Sequence, residues 1–162
     1  MHLNNASIPS PPRVLLVANR TAATSALVEA VRARALLGPA YFHLLVPATP
    51  RGLHRLVDPE DSGWTEAEAA LQLALPILST AAMAPVSGTV GDPNPLSAIA
   101  DAINLQGFEE IMISTLQRSV SRWMNLDLLG KVRALGVPLT HIEPGSVSAC
   151  VIEPSVSARA VA

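Results

Sequence analysis

Five short strand-like segments alternate with stretches of helical period along this chain, and that alternation constrains its fold more than any other feature. Residues 14–18 (VLLVA) form the first run. A strand buried on both faces of a parallel sheet reads as such an uninterrupted run. Residues 41–46 repeat the pattern, residues 85–90 supply a third strand, residues 111–113 a fourth and residues 138–142 a fifth.

Between the runs the period changes. Leu27, Val31 and Ala35 recur at helical spacing with Val28 beside them, while Glu29, Arg32 and Arg34 take the other face. Gly38-Pro39 stops this helix. Thr65-x-x-Glu68 is a capping-box pattern that predicts the start of a second helix, with Leu71, Leu75 and Leu78 inward and a kink at Pro76. Asn94 caps a third helix and Pro95 suits its first position. Leu96, Ile99, Ala100 and Ile103 form its expected buried stripe, and Gly107 its stop. A last helix over residues 123–135 buries Leu128, Val132 and Leu135, and Gly136 ends it. Strands alternating with helices predict an α/β domain with right-handed crossovers and a mostly parallel sheet covered on both faces.

The domain spans residues 13–144. Residues 1–12 read as a flexible leader, and residues 47–63 as a long loop rich in proline and glycine. In the tail, residues 145–162, Val147, Ala149 and Val151 alternate with Ser146, Ser148 and Cys150. That pattern fits an edge or intersubunit strand, and a loose tail equally.

Composition removes whole classes of function. A chain of 162 residues, 49% hydrophobic and 15% charged, has enough apolar mass for one core. A net charge of −2 gives no footprint for nucleic acid. The leader lacks the basic start and apolar core of a signal peptide, and no run is long enough to cross a bilayer. A cytoplasmic protein without membrane contact is expected. Cys150 is the only cysteine, which excludes an internal disulfide and a thiolate zinc site.

Catalytic motifs are missing. No G-x-G-x-x-G follows the first strand, and the chain has no G-x-x-x-x-G-K-[ST] loop and no G-x-S-x-G elbow. His2, His43, His54 and His141 form no pair at metal-ligand spacing; His43 and His141 fall in strands and read as satisfied structural groups. Asp58, Glu60 and Asp61 read as a solvated loop, and Glu66 and Glu68 as acidic residues complementing a helix dipole. Cys150 has no basic sequence neighbour to activate it. Binding rather than catalysis is the expectation.

In an open parallel sheet, ligands sit beyond the carboxyl ends of the strands, where strand order reverses. The loops there are residues 19–21, 46–47, 91–94 and 114–121. They offer Asn19, Arg20, Val46, Gly91, Asp92, Ser114, Gln117, Arg118, Ser119 and Arg122 as candidate ligand contacts. The last loop combines hydroxyls, an amide, backbone donors near a helix start and two arginines, a set that can hold an anion. An ordinary solvated polar loop is the competing reading.

Residues 14–21 followed by a helix, Gly91-Asp92-Pro93 followed by a helix, and residues 111–122 together resemble the universal stress protein family. The resemblance runs from about Arg13 to Ile142. It implies a three-layer domain with a five-stranded parallel sheet of order 3-2-1-4-5, within the wider adenine nucleotide alpha hydrolase-like group. It also implies a homodimer, commonly paired through the last strand, and a regulatory or protective role. One branch binds ATP through G-x2-G-x9-G-[ST] after the fourth strand, whose glycines let the backbone approach phosphates. Laid on this chain without gaps, those positions fall on Ser114, Gln117, Asp127 and Leu128, and all four depart from the motif. Asn19 stands where the family has an acidic residue. The expectation is therefore a stress-response-type regulatory or binding domain that requires no cofactor and lacks standard ATP binding, and whose partners are a second copy, another protein or a small anion. The alternative keeps an ATP or AMP site built from Asn19, the Arg118–Arg122 loop and Gly91-Asp92. A third reading, an enzyme of the wider group, lacks a catalytic set.

Overall fold

The computed structural model describes residues 10–49, 61–116, 127–145 and 150–152, with residues 61–62 and 150–152 as backbone only. Among the described residues, six strands and four helices follow one another as β1 (Arg13–Val17), α1 (Ser25–Leu36), β2 (Tyr41–Pro47), α2 (Asp61–Ala82), β3 (Ser87–Gly91), α3 (Pro95–Gln106), β4 (Glu110–Ser114), α4 (Leu128–Arg133), β5 (Leu139–Ile142) and β6 (Cys150–Ile152). The strands form one sheet of order β3-β2-β1-β4-β5-β6. The first five pair in parallel, with Leu16 opposite Leu44 on one side and Met112 on the other. β6 pairs β5 antiparallel. The expected order 3-2-1-4-5 is therefore present, extended by one strand.

Side chains alternate across a strand, and this chain uses both faces. Val14 and Leu16 point into a core shared with Leu27 and Val31 of α1, with Leu71, Ala74 and Leu78 of α2, and with Met112 and Ile142. Leu15 and Val17 point the opposite way, against Leu45, Ile111, Ile113, Ile99 of α3 and Val132 of α4. β1 is thus buried on both sides, which is why its sequence carries no polar alternation. Truncating a side chain such as Leu16 to alanine costs about 2–5 kcal/mol at a site of this kind. Outside the apolar layers, Arg34 of α1 donates twice to the Glu110 carboxylate of β4, at 2.7 and 2.6 Å. That bond, with the carboxylate's charge, raises the Arg34 pKa against the opposing effect of burial.

Several boundaries differ from the sequence expectation. α2 begins at Asp61, so Thr65 lies inside it and the capping box is not its start. Glu68 instead accepts from Gln72 one turn on, at 2.7 Å. The last residues assigned to the long loop, 61–63, are likewise helical. The helix runs on through Pro76. It ends without glycine because Met83 takes the left-handed conformation, φ 55°. β3 starts at Ser87 rather than residue 85, since Ser79 of α2 accepts from the Val86 N–H at 3.0 Å and keeps it out of the ladder. The buried stripe of α3 is Pro95, Ala98, Ile99 and Ala102, with Leu96 and Ile103 only partly covered. Leu135 is 41% exposed because α4 ends at Arg133, two residues before it.

Candidate functional site

The carboxyl ends of β1 and β4 are neighbours, and the helices that follow them in sequence pack on opposite faces: α1 on one, α4 on the other. This is the switch point at which a parallel sheet opens a crevice. Asn19 follows β1 and is partly buried; its amide donates to the Pro47 carbonyl at 2.8 Å, tying the ends of β1 and β2 together. Arg20 is exposed beside it. Val46 is fully buried in the core, so its side chain serves packing. Ala48 then donates to the Gly91 carbonyl at 3.0 Å and brings the end of β3 alongside.

Gly91 is where the sheet and α3 meet most closely. A Cβ at that position would lie 2.7 Å from Leu45 Cδ1 and 2.9 Å from Ala98 Cβ, so glycine is required by packing. Asp92 is exposed, and its carboxylate accepts from the Asn94 N–H at 2.7 Å. Asn94 in turn accepts from Leu96 N and Ser97 N and caps α3. Gly91 and Asp92 thus shape and support a loop.

Ser114 ends β4 with 1% of its surface exposed, and its hydroxyl has no hydrogen-bond partner. Its carbonyl accepts from the buried Thr21 hydroxyl at 2.8 Å, locking the β1–α1 turn onto β4. Thr115, also buried, is 2.8 Å from His141 Nε2. Glu143 Oε1 is 3.8 Å from that same ring nitrogen. A hydroxyl–imidazole–carboxylate relay needs the acid on the opposite nitrogen and the hydroxyl open to substrate. Here both contacts fall on Nε2 and the hydroxyl is covered. Thr21, Thr115 and Glu143 were not among the sequence candidates. Thr21 and Thr115 lay in loops already singled out, residues 19–21 and 114–121, whereas Glu143 carries no motif.

Gln117, Arg118, Ser119 and Arg122 lie outside the described residues, as do His2, His54, Asp58 and Glu60. Beyond them the chain resumes at Asp127, the position laid on the third glycine of the phosphate motif. Asp127 has a left-handed backbone, φ 49° and ψ 39°. Glycine adopts this conformation freely, and aspartate is one of few other residues that tolerate it. Its carboxylate folds over Gly130, where a Cβ would lie 2.7 Å from both oxygens. The backbone takes a conformation that glycine favours, and a carboxylate stands at the head of α4.

At the opposite, amino ends of the strands, a cleft of about 650 Å³ is lined by Arg13, Tyr41, His43, Ser87, Phe108 and Glu109 among others. Its polar groups serve one another. His43 is 8% exposed and lies 2.8 Å from Ser87 Oγ and 3.0 Å from Thr89 Oγ1. Arg13 donates to the Gln106 carbonyl, and its backbone N–H donates to Glu109 at 2.6 Å. Burial, aided by the charge of Arg13, lowers the His43 pKa below 6.5. Among the described residues no group of three or more His, Cys, Asp or Glu side chains stands where it could hold a metal ion. None of the described helices is long and apolar enough to cross a membrane.

No family model matches this chain, and no curated protein matches it in sequence. In structure it is similar to a universal stress protein from Archaeoglobus fulgidus, with a TM-score of 0.58 and 15% identity, over 81% of this chain and 93% of that one. With helices on both faces of a parallel sheet ordered 3-2-1-4-5, the chain has the universal stress protein fold.

Proposed function

We propose that this chain is a cytoplasmic regulatory or binding domain of the universal stress protein type, which holds a small anionic ligand at the carboxyl ends of β1 and β4 without the standard ATP cradle. The observation that carries the reading is Asp127. It keeps the left-handed backbone of a phosphate-binding glycine yet sets a carboxylate at the head of α4. A carboxylate near a phosphate repels it by about 1 kcal/mol at 4 Å in water and about 4 kcal/mol at a protein surface. Ser114 adds a side chain where the motif has its first glycine, and its buried hydroxyl is a donor not yet used. Arg20, Arg118 and Arg122 supply the positive charge for a smaller anion. A homodimer belongs to this reading, and its role is to present the site to a protein partner rather than to carry out a reaction.

Calorimetric titration with ATP, ADP, AMP and inorganic phosphate tests the proposal. The expected result is saturable binding of the small anion and none of ATP in the micromolar range. Micromolar ATP binding that disappears in the Arg118→Ala, Arg122→Ala double variant would sink it and favour an adenine-nucleotide site with a modified phosphate loop.

A further inference from the structure

The two edges of the sheet differ. Cys150–Ile152 pair with β5 and close that side, so the last parallel strand, through which the family resemblance implies pairing, is already covered. β3 is the other edge. The N–H of Ala48 donates to the Gly91 carbonyl at 3.0 Å, which turns Gly91 towards β2. Backbone groups of alternate residues face alternate sides of a strand, so Ser87 and Thr89 turn the same way and Gly88 and Val90 face outward. The outward N–H and C=O groups of these two residues bond to no described residue. Sheet edges are commonly blunted by lysine, proline or a bulge. β3 carries none of these, and no charged residue occurs from Ala69 to Gly91.

We infer that β3 is the face on which two copies of this chain meet, paired antiparallel about Thr89. A two-fold axis perpendicular to the sheet at Thr89 sets Gly88 of each copy opposite Val90 of the other. Those are the residues whose backbone groups point outward, so both pairs close with hydrogen bonds, and Thr89 faces Thr89 in a favourable cross-strand pair. The helices fit the same axis. α2 packs against β2 and β3 alike and so lies over the gap between them. With strands about 4.8 Å apart, the axis sets the two α2 helices about 10 Å apart, a distance at which helices pack. Trp64, Glu68, Leu71 and Leu75 recur at i, i+4, i+7 and i+11, and a Cβ on Gly88 would meet Leu71 and Leu75 at 2.5 and 3.1 Å. Trp64 and Glu68 therefore share the β3 side of the helix. Trp64 is 48% exposed and lines a shallow groove with Glu68 and Gln72. Gly88 sits level with Leu71 and Leu75, so antiparallel helices set Glu68 of one copy towards Leu75 of the other and not towards Glu68. The occupant is a second copy because a two-fold contact asks one patch to complement itself. An uncharged strand edge with matched donors and acceptors, flanked by an exposed tryptophan, does so without opposing like charges. The pairing gives a face to the homodimer of the proposed function and stands apart from its ligand.

Light scattering of the full-length chain is expected to give a doubled mass. Val90→Pro removes an outward N–H while leaving the ladder to β2 intact, and is expected to give the mass of one chain. Two full-length single-cysteine chains locate the contact: Thr89→Cys with Cys150→Ser, and Thr140→Cys with Cys150→Ser. Across the Thr89 pair the Cβ atoms lie about 4.5–5.5 Å apart, near the range a disulfide spans. On mild oxidation the first chain is expected to form a disulfide-linked dimer and the second to stay uncrosslinked. A monomeric wild-type chain overturns the inference and the homodimer with it. A doubled mass without crosslinking in the Thr89→Cys chain, or with crosslinking in the Thr140→Cys chain instead, overturns the β3 face and leaves the homodimer standing. A Val90→Pro chain that is folded by circular dichroism and still of doubled mass also overturns it. If that variant does not fold, the cysteine pair decides alone.

Discussion

Asp127 does two things at once. Its backbone occupies the left-handed region, φ 49°, and its carboxylate fills the space above Gly130. An Asp127→Gly substitution keeps the first and removes the second. ATP affinity measured by calorimetry should rise about tenfold, the equivalent of about 1.4 kcal/mol, and no change would remove the Asp127 charge from the proposed reading. His43 gives a second residue-level expectation. Its neutral ring fits between the hydroxyls of Ser87, 2.8 Å from Nδ1, and Thr89, 3.0 Å from Nε2: one ring nitrogen donates and the other accepts. Because its pKa is lowered below 6.5 in the fold, the unfolded chain takes up a proton that the native chain refuses. The stability it supports is whole above 6.5, falls as the pH drops below 6.5, and is fully lost below the native pKa. The slope is at most about 1.4 kcal/mol per pH unit. Urea midpoints at about pH 7.5 and about pH 5 should differ in the wild type and converge in His43→Gln. Equal pH dependence in the two chains would assign the loss to other groups.

At the scale of elements, α3 shows local chemistry that can be read directly. Asn94 caps it with bonds of 3.0 and 3.4 Å to Leu96 N and Ser97 N, and Asp92 braces the cap. Asn94→Ala should cost about 1 kcal/mol in chemical denaturation without changing its slope. A loss near zero would mean that packing of Ile99 and Ala102 alone sets the helix start. The elements most legible in the sequence were those whose signals are local: apolar β1, the Asn94-Pro95 start and the Gly107 stop of α3. Where the deciding contact came from another element, legibility failed. Thr65 and Glu68 look like a cap, yet the buried face of α2 continues through Ala67 and Leu71, and the helix has already begun at Asp61. Its end depends on Met83, which gives no glycine signal, and the start of β3 depends on a bond from Val86 to Ser79. The candidate site divides in the same way. Its proposed location rests on strand order, and Asn19 and Ser114 were identifiable as strand-end residues. Thr21 and His141 joined it through partners that only the assembled sheet supplies.

For the whole molecule, β1 is the axis on which both cores depend. Its four residues from Val14 to Val17 are inaccessible to solvent and hydrogen-bonded to strands on both sides. Amides of Leu15 and Leu16 should therefore exchange with solvent only when the whole domain unfolds, whereas those of Cys150 and Val151 should exchange orders of magnitude faster. Native-state exchange followed by nuclear magnetic resonance checks this, and a β6 protected as strongly as β1 would contradict it. The central position of β1 also bears on synthesis. Arg13 meets Glu109, 96 residues further on, where β4 begins. At about 5–20 residues per second, the first strand leaves the ribosome roughly 5–20 seconds before its second neighbour exists. Through that interval the most apolar segment of the chain has one open flank, so the nascent domain will need shielding by chaperones while it is still being translated.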